Sequence, residues 1–231
     1  MSLFFDNLAM VIAAGGASRR FGGPCNKLFA EFRGRAVLLH TLEHFLPVLP
    51  PGRIAVAAPA ALLDAMRELC DRAFPGNGLI WCAGGATRVA SVARGVAALG
   101  ELPDYLAIHD AARPLADAET LRKLLDAARE YGGAIPGETP VDTVKSVDAS
   151  GLVTGNPVRA RLAAVGTPQL FAAREYRRAL AALPEAVREG REEPAELTDD
   201  AAIFMRAGGR VKVVTGLGPN PKITVAADLE R

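Results

Sequence analysis

Short apolar runs that alternate with helical stretches constrain the fold of this chain most strongly. The runs at 9–14 (AMVIAA), 53–58 (RIAVAA) and 105–109 (YLAIH) have the length of a strand but lack the polar alternation of a half-exposed strand. Such runs are typical of strands that are covered on both faces, as in a parallel sheet with helices on each side. The chain therefore predicts an α/β fold built on a doubly wound, mostly parallel sheet.

The other elements are predicted from the same two patterns, which are short apolar runs for strands and apolar residues at helical spacing for helices. Further strands are predicted at 78–82 and 211–214. Helices are predicted where apolar residues recur at helical spacing, at 36–46, 60–73, 87–99, 118–131, 172–182 and 198–207. We expect Thr198 to be the N-cap of the last helix, with Asp199 and Asp200 in its first turn. The charged, Pro- and Gly-containing stretch 184–196 is expected to be a solvated loop.

The stretch 138–160 has a different pattern and is predicted to protrude as a β-arm. Its run 141–147 (VDTVKSV) alternates apolar and polar residues, 148–151 is typical of a turn, and a second extended piece follows near 152–154. Alternation indicates a two-stranded ribbon with one exposed face, and an isolated hairpin is only marginally stable in water. We therefore expect one domain, residues 1–231, whose arm leans on the body or on another subunit.

Composition excludes several function classes. The 27 Lys and Arg residues against 26 Asp and Glu give a net charge of +1, which argues against a globally basic nucleic-acid-binding protein. No apolar run approaches the ~18 residues of a membrane-spanning helix, and the N-terminal segment lacks the basic region of a signal peptide. Cys25, Cys70 and Cys82 cannot all pair, so free thiols in a reducing compartment are expected. We predict a soluble, cytoplasmic protein that binds neither nucleic acid nor membrane.

A glycine-rich loop, 13–27 (AAGGASRRFGGPCNK), follows the first predicted strand. Its glycines permit close backbone approach, and backbone amides at the end of a strand can surround an anion. Arg19, Arg20 and Lys27 add the positive charge that a triphosphate needs before another anion can approach it. The loop matches neither the Walker A pattern nor GxGxxG, which excludes two common nucleotide-binding motifs. Taken alone, the loop is equally well explained as a structural turn with solvated arginines.

A second glycine-bearing motif, GGATRVASV at 84–92, follows the strand predicted at 78–82. Two glycines end the strand, and the helix that begins here carries Ser91. Amides of this loop could contact the edge of a base. The alternative is an ordinary turn between a strand and a helix.

A third motif, IHDAARP at 108–114, places Asp110 at the carboxyl end of a strand, where ligands bind in open α/β sheets. A lone carboxylate there suits Mg²⁺, which keeps several waters and adds phosphate oxygens to one or two carboxylates. Arg113 could bind a phosphate. We expect His109 to be a hydrogen-bonded strand residue rather than a base, and no Ser/His/Asp triad or Cys/His metal cluster is visible in the sequence.

Together these motifs resemble those of a known family. AAGGASR…K, GGATRVASV, HDAARP, PVDTVK, GTPQLF, LTDDA and NPKIT occur in this order over nearly the whole chain. They are similar to the signature blocks of the 2-C-methyl-D-erythritol 4-phosphate cytidylyltransferases of non-mevalonate isoprenoid synthesis. The resemblance implies a Rossmann-like nucleotidyltransferase fold, and a reaction of CTP with methylerythritol phosphate that releases pyrophosphate.

The resemblance also implies roles for individual residues. Arg19, Lys27 and Lys222 match catalytic cations, and Asp110 matches a residue that holds the ribose and Mg²⁺. The positions that match the nucleotide site are Ala13, Ala14, Gly15, Gly16, Gly85, Ala86, Ser91, Asp110 and Ala111. The positions that match the substrate site are Arg113, Thr143, Arg159, Thr167 and Thr198. Of these, Thr143 and Arg159 lie on the arm, which in the family reaches the neighbouring subunit's active site, so a homodimer is implied.

Three other interpretations compete with this one. The same chemistry could act on another alcohol phosphate, such as ribitol 5-phosphate, because the phosphate contacts would be shared. A non-catalytic nucleotide-binding protein could have the same fold, although Arg19, Lys27 and Asp110 are all present. An NAD-dependent oxidoreductase is disfavoured, because GxGxxG is missing and the second strand ends without an acidic residue.

Overall fold

The structure is a computed structural model that describes residues 5–15, 21 and 26–230. The strands are β1 (Leu8–Ala13), β2 (Glu31–Phe32), β3 (Arg35–Ala36), β4 (Ile54–Ala58), β5 (Ile80–Ala83), β6 (Tyr105–Asp110), β7 (Gly132–Glu138), β8 (Ser146–Val147), β9 (Val153–Gly155), β10 (Ala164–Val165), β11 (Gln169–Ala172) and β12 (Arg210–Val214). The α-helices are α1 (Val37–Glu43), α2 (Leu63–Ala73), α3 (Arg88–Leu99), α4 (Ala118–Tyr131), α5 (Ala173–Ala181), α6 (Glu185–Glu189) and α7 (Asp200–Arg206).

Eight of these strands form the central sheet. Its order is β10-β7-β11-β6-β1-β4-β5, and β12 pairs with β7. Strands β5, β4, β1 and β6 are parallel neighbours, and β12 runs parallel to β7. Strand β11 is antiparallel to β6 and β7, and β10 is antiparallel to β7. The predicted mostly parallel sheet is thus confirmed, with one antiparallel insertion between β6 and β7.

Helices cover the sheet on both faces because successive side chains of its strands point to opposite sides. On β1, Leu8, Met10 and Ile12 join one buried cluster with residues of α1, α2 and α4. Ala9 and Val11 join the other cluster, which holds residues of α3, α5 and α7. Both faces of β1 are therefore core, which explains why its sequence shows no polar alternation and confirms the doubly wound arrangement.

Helix α3 packs unusually close to the sheet, beneath the predicted base-binding loop. A Cβ at Gly95 would lie 2.5 Å from Val11 Cγ1, so a side chain at this position would displace the helix. Thr87 caps the helix, its side-chain oxygen accepting a hydrogen bond from the Ala90 amide at 3.2 Å. The N-terminus of α3 is thereby fixed next to the carboxyl end of β5.

The structure corrects several predicted elements. Asp199, not Thr198, is the N-cap of α7, because its carboxylate accepts the Ala202 amide at 2.9 Å. The stretch 184–196 contains α6 and the buried Val187, so it is not entirely a solvated loop. Strands β7 and β11 escaped prediction, since GGAIPGE carries the Gly and Pro that normally interrupt strands.

The arm forms a separate two-stranded sheet of β8 and β9. The predicted turn is present, with the Gly151 amide donating to the Asp148 carbonyl at 3.0 Å. The first strand is shorter than predicted, because only Ser146–Val147 of the run 141–147 is paired. The ribbon therefore has few internal contacts to stabilise it.

Two further observations bear on the expectations from composition. Cys70 and Cys82 are free thiols, whereas Cys25 lies outside the described residues. In the described part of the chain, no helix combines the length and the apolarity that crossing a membrane requires.

Candidate active site

The carboxyl ends of β1 and β6 lie side by side in the middle of the sheet, with Ala13 opposite Asp110. The strands that follow β1 in the chain are added in opposite directions here, because β4 and β5 lie on one side of β1 and β6 lies on the other. Pairing extends past the strand ends, since the Ala111 amide donates to the Ala13 carbonyl at 3.1 Å and the Ala14 amide to the Ala57 carbonyl at 3.0 Å. Ligands bind at such switch points in open α/β sheets.

Asp110 is the centre of an ion-pair cluster at this switch point. Its carboxylate accepts hydrogen bonds from Lys222 Nζ at 2.8 Å and from Arg88 Nε at 3.2 Å. Arg113 Nε lies 3.6 Å from the same carboxylate. On its other side, Arg88 forms an ion pair with Asp200, with 2.6 Å between Nη1 and Oδ2. Three cations therefore face two carboxylates in this cluster. The surplus of positive charge suits a polyanionic ligand.

The cations also fix the ionisation of Asp110. Burial alone would raise the pKa of this carboxyl group, but the charges of Arg88 and Lys222 outweigh burial and hold the pKa well below its ordinary range. Asp110 is therefore an anion throughout the physiological pH range, with oxygens suited to a hard cation.

His109, the residue before Asp110, is part of a buried hydrogen-bond chain and confirms the expectation of a structural role. The Thr167 hydroxyl accepts the Asp110 amide at 3.0 Å and lies 3.0 Å from His109 Nδ1, while His109 Nε2 lies 3.0 Å from the Arg113 carbonyl. This network assigns the proton to Nε2, which donates to Arg113, and leaves Nδ1 to accept from Thr167. His109 thus ties the end of β6 to both flanking segments.

We expect His109 to make the protein less stable in acid. Burial disfavours the imidazolium and lowers the pKa of His109 from 6.5 to about 4. Between these values the unfolded chain binds more protons than the folded one. The free energy of unfolding therefore falls as the pH drops from about 6.5 to about 4, by about 3 kcal/mol in all.

Urea unfolding at a series of pH values measures this loss. His109→Gln removes the titrating group and should flatten the pH dependence, whereas His44→Gln should retain it. If the free energy of unfolding of His109→Gln fell as steeply with falling pH as that of the wild type, the acid lability would belong to another group.

Lys27 and Lys222 meet at one segment of the chain although they are far apart in sequence. Lys27 Nζ donates to the Ile223 carbonyl at 2.8 Å, and the Ile223 amide donates to the Ala112 carbonyl at 2.8 Å. The second bond fastens the segment to the residues that follow β6. Both predicted cations are thereby held beside the Asp110 cluster.

Asn220 connects two more of the predicted residues. Its carbonyl accepts from Arg113 Nη1 at 2.9 Å, and its side-chain amide donates to the Thr167 carbonyl at 2.9 Å. A cleft of about 580 Å³ lies here, and its lining includes Arg33, Arg113, Thr167 and Asn220. The cleft is large enough for a small phosphorylated molecule.

The two predicted glycine loops meet over Ser91 on α3. The Gly85 amide donates to Ser91 Oγ at 3.1 Å, and the Ser91 hydroxyl donates to the Thr87 carbonyl at 2.9 Å. A Cβ at Gly15 would lie 3.2 Å from Ser91 Oγ, and a Cβ at Gly85 would lie only 2.3 Å from the Ala90 Cβ. Gly85 must therefore be glycine for the loop to lie against the helix.

The predicted substrate residues on the arm lie apart from this group. Thr143 and Arg159 are exposed, and Arg159 Nη1 donates to the Val141 carbonyl at 2.8 Å within the arm. Thr198 is exposed, just before α7. Large apolar side chains of the arm are exposed as well, namely Val141, Val147, Leu152, Val153 and Val158.

The structure therefore brings together the predicted residues on β1, β6 and α3 with Lys222 from the C-terminal part of the chain. Arg19 and Gly16 lie outside the described residues, so their predicted roles stay predictions. Sequence reasoning missed Arg88, Asp200 and Asn220. Each lies inside a recognised motif, Arg88 in GGATRVASV, Asp200 in LTDDA and Asn220 in NPKIT, so motif membership was the available signal.

Comparison with known proteins adds independent evidence. A family model described as "2-C-methyl-D-erythritol 4-phosphate cytidylyltransferase" matches residues 8–231. A protein of that name from Synechococcus sp. (strain WH7803) is 38% identical over 221 residues, which cover 95% of this chain and 95% of the relative. Another, from Prochlorococcus marinus (strain MIT 9313), is 34% identical over 222 residues, covering 95% and 94%.

Solved structures agree with these sequence matches. The 4-diphosphocytidyl-2C-methyl-D-erythritolsynthase from Anaerococcus prevotii DSM 20548 superposes with a TM-score of 0.78 at 26% identity. The match covers 97% of this chain and 95% of that chain. The resemblance drawn from the motifs is confirmed.

Proposed function

The chain belongs to the 2-C-methyl-D-erythritol 4-phosphate cytidylyltransferase family, and from this premise we propose that it transfers the cytidylyl group of CTP to 2-C-methyl-D-erythritol 4-phosphate. The products are 4-CDP-2-C-methyl-D-erythritol and pyrophosphate, and the reaction serves the non-mevalonate synthesis of isoprenoid precursors. The observation that carries the proposal is the cluster of cations around Asp110 at the switch point of the sheet.

The proposed reaction is an in-line displacement at the α-phosphorus of CTP. An oxygen of the acceptor's phosphate forms the new bond to this phosphorus, and the bond to the pyrophosphate oxygen breaks on the opposite side. The nucleophile is already an anion, so the step needs no general base, in agreement with the structural role of His109. The barrier is charge repulsion and alignment, which positioned cations lower.

Lys27 and Lys222 are the proposed cations for the α-phosphate and the leaving group, with Arg19 as a third. The support for the two lysines is their attachment to one segment beside Asp110, through the Ile223 carbonyl and the Asp110 carboxylate. The Lys222 side chain is 38% exposed, so its ammonium can turn from Asp110 toward a phosphate.

Asp110 is the proposed ligand of Mg²⁺. Its ionised carboxylate fits a cation that takes one or two carboxylates and completes its shell with phosphate oxygens and water. Mg²⁺, when bound, would neutralise phosphate charge. Lys222 must leave the carboxylate oxygen at which the ion binds, and the incoming triphosphate offers the ammonium a new partner.

The base of CTP is proposed to lie at the glycine loops over Ser91. Backbone groups of Ala13, Ala14, Gly15, Gly85 and Ala86 would contact cytosine, while Asp110 and Ala111 would contact the ribose. The support is the close packing of these loops on α3, because a fixed backbone can distinguish one base edge from another.

The acceptor is proposed to occupy the cleft beside Arg113 and Thr167. Asn220 holds both residues through its carbonyl and amide, which supports a preorganised phosphate site. Thr198, which lies just before α7, is a further proposed contact with the acceptor.

We propose that residues 138–160 act as an arm that completes the active site of a second copy in a homodimer. The apolar side chains exposed on the arm support this, because water-exposed patches of this kind mark interaction sites. Thr143 and Arg159 would then reach the partner's acceptor.

Mixing two variants that are each nearly inactive at low acceptor concentration, one of them through a raised KM for the acceptor, should restore activity at that concentration if the arm works across the dimer. Arg159→Ala has a defective arm, and Lys222→Met has a defective body. In a mixed dimer, the intact arm of the Lys222→Met subunit reaches the intact body of the Arg159→Ala subunit, so one of the two sites is intact. Random exchange of equal amounts should yield about a quarter of wild-type activity. A mixture that stays inactive after subunit exchange would show that each arm serves its own body.

Pyrophosphate release from CTP tests the proposed reaction. We expect release only when Mg²⁺ and 2-C-methyl-D-erythritol 4-phosphate are both present, with the CDP-alcohol visible by phosphorus NMR. Turnover with ribitol 5-phosphate alone would make that compound the acceptor. CTP binding without turnover on either acceptor would instead favour a non-catalytic nucleotide-binding protein.

The proposal includes a cytoplasmic location and no nucleic-acid or membrane partner. The free thiols of Cys70 and Cys82 support a reducing compartment. The near-neutral net charge of +1 supports a small anionic ligand rather than a nucleic acid.

A further inference from the structure

We infer that Arg88 is a positioning residue. It orients the Asp110 carboxylate for the nucleotide, and it is itself held in place by an ion pair with the buried Asp200. The inference rests on the proposed function, because that function assigns Asp110 to CTP and its metal ion.

Arg88 lies between two carboxylates that belong to different parts of the fold. It is the first residue of α3, its Nε donates to Asp110 at the end of β6, and its Nη1 lies 2.6 Å from Asp200 Oδ2 at the start of α7. A planar guanidinium presents several N–H groups in fixed directions, so it can pair with both carboxylates at once. The position of Asp110 is therefore tied to that of α7.

Asp200 is held firmly enough to serve as an anchor. Its side chain is 0% exposed, and the buried Tyr176 hydroxyl donates to its Oδ1 at 2.6 Å. The start of α7 is fixed in addition by Gln169, whose side chain accepts the Ala201 amide at 3.0 Å and donates to Asp199 at 2.9 Å. Because Asp200 is enclosed, its charge acts on the site through Arg88 and not by touching a substrate.

Arg88 and Lys222 share Asp110 but differ in their freedom to move. A shift of Arg88 toward a phosphate would leave the enclosed Asp200 without its counter-charge, which is strongly unfavourable. The half-exposed Lys222 has a single bond to the carboxylate and can turn toward solvent or a ligand. Arg88 therefore stays on Asp110 and keeps the carboxylate oriented while Lys222 moves to the phosphates.

Asp200→Asn tests the inference, because it weakens the anchor without removing any group that touches a substrate. We expect the Kd of CTP with Mg²⁺, measured by calorimetry without acceptor, to rise by about 10–100-fold. The kcat/KM for CTP should fall to the same extent, whereas the KM for the acceptor should stay at the wild-type value. Calorimetry reports binding even if turnover is lost.

A double-mutant cycle is the matched control. If Asp200 acts through Arg88, then Asp200→Asn should add no further loss of CTP binding in an Arg88→Met background. Arg88→Gln removes the charge but keeps a polar side chain, and it replaces Arg88→Met in the cycle should the latter not fold.

Additive losses, or unchanged CTP binding in Asp200→Asn, would overturn the inference. The inference would also be overturned if Asp200→Asn weakened the use of CTP and of the acceptor equally, and in proportion to the fraction of the variant that is folded. A wild-type chain that binds no CTP would instead overturn the proposed function itself, so the two failures can be told apart.

Discussion

Replacing Lys222 with methionine is expected to lower kcat by about 10²–10³-fold, because it removes a positioned cation from the site of developing charge. Methionine preserves much of the side-chain volume and removes only the ammonium, which donates to Asp110 at 2.8 Å. The fold should persist, since Asp110 keeps Arg88 and Arg113 as counter-charges. The measurement is steady-state release of pyrophosphate, corrected for the folded fraction by circular dichroism.

Lys212→Met is the matched control for this variant. Lys212 lies on β12, and its ammonium is 5.5 Å from the centre of the Tyr131 ring, away from the Asp110 cluster. It should leave kcat unchanged. A Lys222→Met enzyme with near-normal kcat would remove Lys222 from the mechanism.

Replacing Asp110 with asparagine is expected to abolish the Mg²⁺-dependent part of CTP binding and to lower kcat/KM for CTP by about 10²–10³-fold. The amide has nearly the shape of the carboxylate but carries no negative charge, so it binds a metal ion far more weakly and does not compensate the surrounding cations. Stability should fall too, by about 3 kcal/mol, because breaking a buried ion pair leaves its partners uncompensated. Calorimetry with CTP, with and without Mg²⁺, separates the binding defect from the loss of stability measured in urea.

Asp104→Asn provides the comparison for Asp110→Asn, because Asp104 precedes the same strand at its opposite end and is exposed. It should change neither CTP binding nor the free energy of unfolding. If Asp110→Asn bound CTP with wild-type affinity and the same Mg²⁺ dependence, Asp110 could not be the metal ligand.

Sequence alone predicts the parts of this fold that depend on local pattern. The buried strands β1, β4 and β6 were evident because both of their faces are core, so the residues are apolar without interruption. The position of Asp110 at the carboxyl end of a strand is likewise confirmed, because the apolar run before it is buried on both faces. These inferences need only the order of residues along one element.

The parts that sequence could not supply depend on residues that meet from different elements. Nothing local distinguishes Asp200 from an ordinary first-turn carboxylate, since its burial is created by Tyr176 and Arg88. Strand β7 was missed for the same reason, because pairing with β11 and β12 holds a Gly- and Pro-containing segment extended. Motif recognition supplied the family of the chain, and the structure supplied the contacts between residues of different motifs.

A crystal structure of the chain with CTP and Mg²⁺ tests the central claim most directly, which is that the cation cluster around Asp110 receives the triphosphate. We expect the Lys222 ammonium to leave its 2.8 Å contact with Asp110 and to bind a phosphate oxygen. Arg88 should remain on Asp110, with the triphosphate lying between Asp110 and Lys27. A nucleotide bound elsewhere, with the pair of Lys222 and Asp110 intact, would contradict the account.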